Sequence, residues 1–297
     1  MISASAPANV LLLGEYAVLE EGGLGLAVAV DVRARASASV ASPAGAGIVG
    51  TMGTTTVRWP GDSGLLGALA TRLQTRYGVL RDRIELDTTE FFDASGRKRG
   101  FGSSAALTVV LAAVWARGAG RPVDPAHAVG ELVEHHRAAQ GGRGSGYDVA
   151  TSCLGGCVLF TGGERPVARR VDACWLPPLS LFAGPQPVDT RRAIGAYTEW
   201  KTARPHEAAR FLRESNDAVT RFVNADSWEA AQPAFDDCAR LGRALGDAIG
   251  VSASIDAPAA ARAKAVGAGN ELGLAVLGDD RAIGERLSIA GEGLVCR

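Results

Sequence analysis

The first third of the chain combines short apolar runs with glycine turns, a pattern typical of strands. Apolar runs cover residues 10–13 and 26–30, and residues 33–40 alternate arginine or serine with alanine and valine. Period-two alternation predicts a half-exposed strand, and short apolar runs bounded by glycine predict buried strands. The same reasoning predicts three further strands, at residues 84–88, 158–160 and 167–171, the last two forming a hairpin.

Apolar residues spaced three and four apart predict the helices. This spacing occurs at residues 65–77, 125–139, 189–200, 205–224 and 227–249. Residues 105–117 are apolar on nearly every side, which predicts a helix buried in the core. For the remaining C-terminal half we expect a strand within 175–183, a helix ending near Lys264, a strand at 272–277, a short helix and a final strand at 288–295.

The elements divide most naturally into two groups. Glycine and charged residues cluster at residues 162–165, which makes this stretch the best candidate boundary. We therefore expect two α+β lobes, residues 1–165 and 166–297, whose glycine-rich loops face a common cleft.

Composition excludes several classes of protein. The 297 residues include 31 basic and 32 acidic side chains, a net charge of −1, so the chain is not a generally basic nucleic-acid binder. Its longest apolar stretch is too short to cross a bilayer, and no secretory signal opens the sequence. The five cysteines lack the spacing of a zinc site, which favours reduced thiols in a cytoplasmic protein.

The most informative local feature is the glycine-serine loop 100–104, which leads directly into the apolar helix. A helix N terminus presents free N–H groups and partial positive charge, and glycines let a phosphate approach the backbone. We expect Ser103 or Ser104 to cap the helix and the other hydroxyl to contact a phosphate oxygen or Mg²⁺. Arg97, Lys98 and Arg99 precede the loop. The competing interpretation is an ordinary capped helix beside a solvated basic turn.

Two other groups of residues invite a chemical interpretation. Asp148 follows a Gly-Ser-Gly turn and precedes an apolar segment that we expect to be a strand, a position from which a carboxylate points into a cleft. The alternative is an aspartate that caps the turn. His135 and His136 are adjacent, so they point to different faces of their helix and do not form a metal-binding pair. We expect them on the surface or in ordinary packing.

Four segments together resemble one family, the GHMP small-molecule kinases. The first is Ala-Pro-Ala-Asn-Val-Leu-Leu-Leu-Gly-Glu-Tyr-Ala-Val-Leu-Glu at residues 6–20. The second is the loop Gly-Phe-Gly-Ser-Ser-Ala-Ala at 100–106. The other two are residues 139–150, which contain Gly-Ser-Gly-Tyr-Asp at 144–148, and Lys-Ala-Val-Gly-Ala-Gly at 264–269. Within the family, the Gly-Glu-Tyr segment and the Ser-Gly-Tyr-Asp turn are most similar to the phosphomevalonate kinases.

This resemblance implies the α+β two-lobe GHMP kinase fold. Its N-terminal lobe is like ribosomal protein S5 domain 2 and binds ATP, and its ferredoxin-like C-terminal lobe closes the substrate cleft. The implied activity is Mg²⁺-dependent phosphorylation of phosphomevalonate by ATP, in isoprenoid precursor synthesis. The implied partner is a small phosphorylated acid, with no nucleic acid or membrane, for a cytoplasmic monomer or homodimer.

The resemblance also implies roles for individual residues. Asp148 and Lys98 correspond to catalytic residues, and Ser104 to the Mg²⁺-binding serine. The residues implied to bind ATP are Gly100, Gly102, Ser103, Ser104, Ala105, Gly267 and Gly269. The residues implied to bind the substrate are Tyr16, Lys98, Ser145 and Tyr147.

The sequence departs from the family pattern at two motifs. Asn9 stands where most members have lysine, and Arg33, Lys98 or Arg143 are candidates to supply the missing charge. Directly after the motif at residues 264–269, Asn270 and Glu271 replace the usual Gly-Gly-Asp of the family. The alternatives left open are another acceptor such as mevalonate, a decarboxylase relative, and a degenerate member that binds ligand without phosphoryl transfer.

Overall fold

Two sheets organise the chain in the computed structural model, which describes residues 1–40, 45–61, 63–142, 144–256, 262–276 and 284–297. The first sheet contains β1 (Ile2–Leu13), β2 (Leu24–Val40), β3 (Gly47–Met52), β4 (Thr55–Trp59), β5 (Asp82–Asp87), β6 (Cys157–Thr161), β7 (Val167–Val171) and β12 (Val295–Cys296). Its order is β12-β1-β2-β5-β3-β4, with β6 on β2 and β7 on β6. The β3–β5 pair is parallel and the other pairs are antiparallel.

Four helices accompany the first sheet: α1 (Leu65–Tyr77), α2 (Ser103–Gly118), α3 (Pro125–Ala139) and α4 (Tyr147–Leu154). Helix α2 contacts β1 and β2 and is buried from Ala105 to Ala116. Such all-round burial requires an apolar residue at nearly every position, and the sequence provides this. The prediction of a buried core helix is confirmed.

The second sheet is antiparallel and has the order β11-β8-β10-β9. Its strands are β8 (Leu179–Ala183), β9 (Arg262–Val266), β10 (Leu272–Val276) and β11 (Glu285–Arg286). Between β8 and β9 the chain forms α5 (Thr190–Ala203), α6 (Pro205–Val223) and α7 (Trp228–Ile249); α7 contacts β9, whereas α6 contacts β2 of the first sheet. Asp189 and Ser227 begin α5 and α7, because their side chains accept hydrogen bonds from first-turn amides. No described helix has the length and apolar character of a membrane span.

The C-terminal predictions need correction. Residues 262–266 form β9 rather than the end of a helix, and Lys264 points into the structure from this strand with 3% exposure. The short helix expected after residue 277 lies outside the described residues. The long final strand is wrong, because the amides of Leu287, Ala290 and Leu294 donate to three separate elements instead of forming one ladder.

Sheet membership crosses the predicted lobe boundary. Strands β7 and β12 both follow residue 165, yet they pair within the first sheet. On α6, the Asn216 side chain accepts a hydrogen bond from the amide of Leu24 at 2.8 Å and donates to the carbonyl of Gly22 at 3.0 Å. The division into residues 1–165 and 166–297 stays a prediction.

The five cysteines are free thiols, as the sequence predicts. Cys153, Cys157 and Cys238 are buried. Burial raises the pKa of the Cys157 thiol to about 11 and the pKa values of the other two to about 12. These three side chains are therefore protonated packing groups at neutral pH.

Candidate active site

A cleft of about 870 Å³ is lined by elements of both sheets. It gathers residues from six separate segments of the sequence, within 11–19, 64–65, 98–104, 136–148, 188–194 and 266–272. The predicted site residues that line it are Tyr16, Lys98, Gly100, Ser104, Ser145, Tyr147, Asp148, Gly267 and Gly269. Three further predicted residues, Gly102, Ser103 and Ala105, belong to the same loop without lining the cleft.

The N-cap residue of α2, directly before the helix, is Gly102 rather than a serine. Gly102 has φ +73° and no side chain caps the helix, so the expectation that Ser103 or Ser104 would cap it is wrong. A Cβ at Gly102 would lie 2.5 Å from the Asn9 side-chain nitrogen, so both the backbone conformation and the packing require glycine. Within this first turn, the amide of Ala105 donates a hydrogen bond to the Gly102 carbonyl. The uncapped first turn leaves a positive helix end beside the cleft.

The hydroxyl of Ser104 lies beside His136 of α3 and Gln140, the residue that directly follows this helix. Its Oγ is 3.3 Å from His136 Nε2 and 3.4 Å from Gln140 Nε2, and the two nitrogens are 2.8 Å apart. His136 is buried, as expected, but it also lines the cleft. The spacing of four between His136 and Gln140 was the available signal, because it puts both on one face of the helix.

Asp148 lies in the first turn of α4, which corrects the expectation that a strand follows it. Gly146 begins this helix with φ +88°, and Asp148 Oδ1 accepts a hydrogen bond from the amide of Val149 at 2.9 Å. A carboxylate is stabilised at a helix N terminus. The preceding loop is held by Arg137, whose guanidinium donates to the carbonyls of Gly144 and Ser145 at 2.9 and 2.5 Å. Sequence reasoning missed this arginine.

Three cations precede the glycine-serine loop, and two of them are engaged elsewhere. Arg97 pairs with Asp93, while Arg99 pairs with Glu285 and lies 4.7 Å from the centroid of a phenylalanine ring. Lys98 lines the cleft and makes no ion pair with any described residue. Arg191, in the first turn of α5, also lines the cleft and was not predicted. The cleft is therefore lined by two cations, Lys98 and Arg191, from distant segments of the chain.

Tyr16 lies in the turn after β1 with φ +62°, and among the described residues it is the only non-glycine with positive φ. Its hydroxyl donates to the Ala268 carbonyl at 2.5 Å, and its ring centroid is 5.2 Å from that of Tyr197. Burial raises the pKa of Tyr16 to about 12, so the hydroxyl stays a donor. This proton is already used by the protein, although the sequence predicts a contact with substrate.

The residues that depart from the family pattern lie in different surroundings, and of Asn9, Asn270 and Glu271 only Glu271 lines the cleft. Asn9 is buried with 3% exposure and donates to Ser152 Oγ at 3.0 Å, outside the cleft lining. Arg33 lines a different cavity, so the hypothesis that it supplies charge here is wrong. Arg143 lies outside the described residues. Asn270 donates to residues 252 and 254, whereas Glu271 lines the cleft.

Comparison with known proteins identifies the architecture. Residues 66–156 match the family model described as the GHMP kinases N terminal domain, a segment that contains the glycine-serine loop and Asp148. The structure superposes with a TM-score of 0.76 on the Lin0012 protein from Listeria innocua, at 18% identity, covering 94% of this chain and 91% of that one. The chain has the GHMP kinase fold. The fold class predicted from the sequence is confirmed.

Other structures with the GHMP kinase fold act on different acceptors, according to their names. Streptococcus pneumoniae phosphomevalonate kinase, in complex with phosphomevalonate and AMPPNP, has a TM-score of 0.71 at 17% identity over 94% of this chain and 93% of that one. A D-glycero-D-manno-heptose 1-phosphate kinase from Bacteriodes thetaiotaomicron has a TM-score of 0.65 at 13% identity, covering 100% and 99%. No curated protein sequence matches the chain. At these identities the likeness concerns the fold.

Proposed function

We propose that this protein is an ATP-dependent kinase that phosphorylates phosphomevalonate to diphosphomevalonate in the cytoplasm. The observation that supports this most strongly is the convergence of three elements on one cleft: the α2 N terminus, Lys98 and Asp148. GHMP kinases are small-molecule kinases, and one structural neighbour binds phosphomevalonate and AMPPNP.

The nucleotide phosphates would bind at the uncapped first turn of α2, where amides and helix dipole favour an anion. Ser104 suits a Mg²⁺ ion that keeps phosphate and water oxygens as its other ligands, because its hydroxyl is a hard oxygen donor at the cleft. When bound, Mg²⁺ neutralises phosphate charge and orients the transferring group. His136 and Gln140 orient the serine hydroxyl from α3.

Lys98 would bind the phosphate of the acceptor as a point charge, since no described carboxylate neutralises it. Asp148, which lines the same cleft, would orient the acceptor. A phosphate acceptor is already ionised at pH 7, so Asp148 need not act as a strong base. Phosphoryl transfer depends mainly on such positioning and charge neutralisation.

The proposal is tested by incubating the purified protein with ATP, Mg²⁺ and phosphomevalonate, and identifying the products by mass. We expect ADP and diphosphomevalonate in equal amounts. Mevalonate and a sugar phosphate serve as competing acceptors, since structural neighbours carry both kinds of name. Turnover of one of these and not of phosphomevalonate would replace the proposed acceptor.

Asn9 supports a second candidate function, ligand binding without transfer. Its amide is buried and bonded to Ser152, so the first motif brings no cation to the cleft. Calorimetry distinguishes the two functions. Tight binding of ATP and acceptor with no ADP release over hours would favour the binding protein.

A further inference from the structure

Two neighbouring residues of the turn after β1 reach one segment of the second sheet. The Lys264 ammonium on β9 donates to the Glu15 carboxylate, and the Tyr16 hydroxyl donates to the Ala268 carbonyl. Lys264 lies on β9, and Ala268 lies in the glycine loop 267–269 that directly follows this strand. The turn therefore holds this segment at both ends.

The Lys264 end is a buried ion pair. Besides Glu15, the ammonium donates to the carbonyls of Leu12 at 3.2 Å and Ala265 at 2.9 Å, so all three of its N–H groups have acceptors. The side chains of Lys264 and Glu15 are 3% and 11% exposed. A buried pair in this geometry resists opening, because either charge alone would be stranded away from water. It links β1 of the first sheet to β9 of the second.

The Tyr16 end is held against backbone strain. A tyrosine at φ +62° persists only where its surroundings enforce the conformation. The ring contact with Tyr197 and the short hydrogen bond to Ala268 provide that enforcement. The strained turn thus directs the hydroxyl at the loop.

The tip of the loop is open at Gly267. A Cβ at Gly267, which has φ +83°, would meet no atom within 4 Å. Beyond the tip, the Asn270 side chain donates to Ser252 Oγ at 3.3 Å and to the Ser254 carbonyl at 3.1 Å. We propose that Glu15–Lys264 and Tyr16–Ala268 form a clamp that positions residues 266–269 for binding an anionic ligand. Glu15, Tyr16 and Lys264 are then positioning residues. The identity of the anion as a nucleotide phosphate rests on the proposed function, whereas the clamp does not.

The first test compares Tyr16→Phe with Tyr197→Phe, since each removes one hydroxyl from the same aromatic pair. Hydrogen exchange is measured in the free protein for the amides that pair β9 with β10, and AMPPNP affinity is measured by calorimetry. We expect Tyr16→Phe to speed exchange near Val266 and Leu272 and to weaken AMPPNP binding about threefold to tenfold, the effect of losing one hydrogen bond. Tyr197→Phe should change neither quantity.

The second test compares Glu15→Gln with Glu20→Gln. Glu20 lies on the same turn and pairs with Lys201 at 2.9 Å, without contacting residues 264–268. Only Glu15→Gln should speed exchange in the β9–β10 hairpin. Unchanged exchange in both Tyr16→Phe and Glu15→Gln would overturn the clamp, even if AMPPNP binding weakened. A wild-type protein that does not bind AMPPNP would instead refute the proposed function, and exchange would still decide the clamp.

Discussion

Two cavities of nearly equal size differ sharply in how they are built. The cleft has a volume of about 870 Å³, and a second cavity, here named the sheet-face cavity, has about 860 Å³. The cleft is lined mainly by loops, turns and helix ends. The sheet-face cavity is lined mainly by strand residues of β1, β2, β3 and β5 and by the C-terminal segment. Volume alone therefore does not distinguish a candidate active site.

The difference lies in which polar groups remain available. In the sheet-face cavity, Arg33 donates to Ser5 and to the carbonyls of Glu292 and Gly293, and Arg35 pairs with Glu90. Strand amides there are used in the ladders. In the cleft, an uncapped helix turn and Lys98 face the space. A ligand needs hydrogen-bond donors that the protein does not already use, and helix ends and loops provide them.

The largest expected effect is that of Asp148→Asn, which removes the charge from the cleft. We expect turnover to fall by at least about 10²-fold, the order of loss that follows when a reacting group is no longer held in position. Steady-state kinetics with the proposed acceptor, phosphomevalonate, provide the measurement. The matched control is Asp87→Asn in the sheet-face cavity, which should retain normal turnover. Equal activity of the two variants would remove the functional distinction between the cavities.

Lys98→Met should have the next largest effect. Loss of a charge-assisted contact to the acceptor phosphate is expected to raise KM for the acceptor about 10- to 100-fold, with a smaller change in kcat. Arg35→Met in the sheet-face cavity should leave both constants unchanged, because its partner Glu90 lies outside the cleft lining. A fall in kcat alone would contradict the assignment of Lys98 to substrate binding.

Gly102→Ala tests the loop as a structural element. A Cβ there meets the Asn9 amide at 2.5 Å and the residue keeps φ +73°, so we expect a loss of about 1–3 kcal/mol in the free energy of unfolding. Gly130→Ala, inside α3 with no atom within 4 Å of its Cβ, should be neutral or stabilising by about 0.5–1 kcal/mol. Urea denaturation of both variants measures the contrast. Similar stabilities would show that the turn tolerates a side chain.

The smallest effect concerns acid stability outside both cavities. Hydrogen bonding from Arg76 lowers the pKa of Glu131 on α3 to about 2, with Tyr77 and His135 contributing. Because the folded pKa lies below the unfolded one, the stabilisation is complete above about pH 5 and is lost as the pH falls towards 2. Glu131→Gln should remove this pH dependence, by less than about 1 kcal/mol since the pair is partly exposed. Unfolding curves at pH 3 and pH 7 decide whether it does.

Sequence periodicity predicted most elements because it reports local burial. The helix bounds 65–77 and 125–139 agree with the structure, as does the hairpin of β6 and β7. Prediction failed near the C terminus, where residues 262–266 form a strand around a buried lysine. A charged residue at an inward position hides the alternation, and its partner, Glu15, is far away in the sequence.

The candidate site divides in the same way. The sequence by itself determined the buried helix α2 and the glycines of the loop that precedes it, since these depend on near neighbours in the chain. Only the tertiary structure decided that Asn9 and Arg33 stay out of the cleft, that His136 meets Ser104 and that Tyr16 reaches Ala268. Those contacts join segments far apart in sequence, and packing between the two sheets selects them.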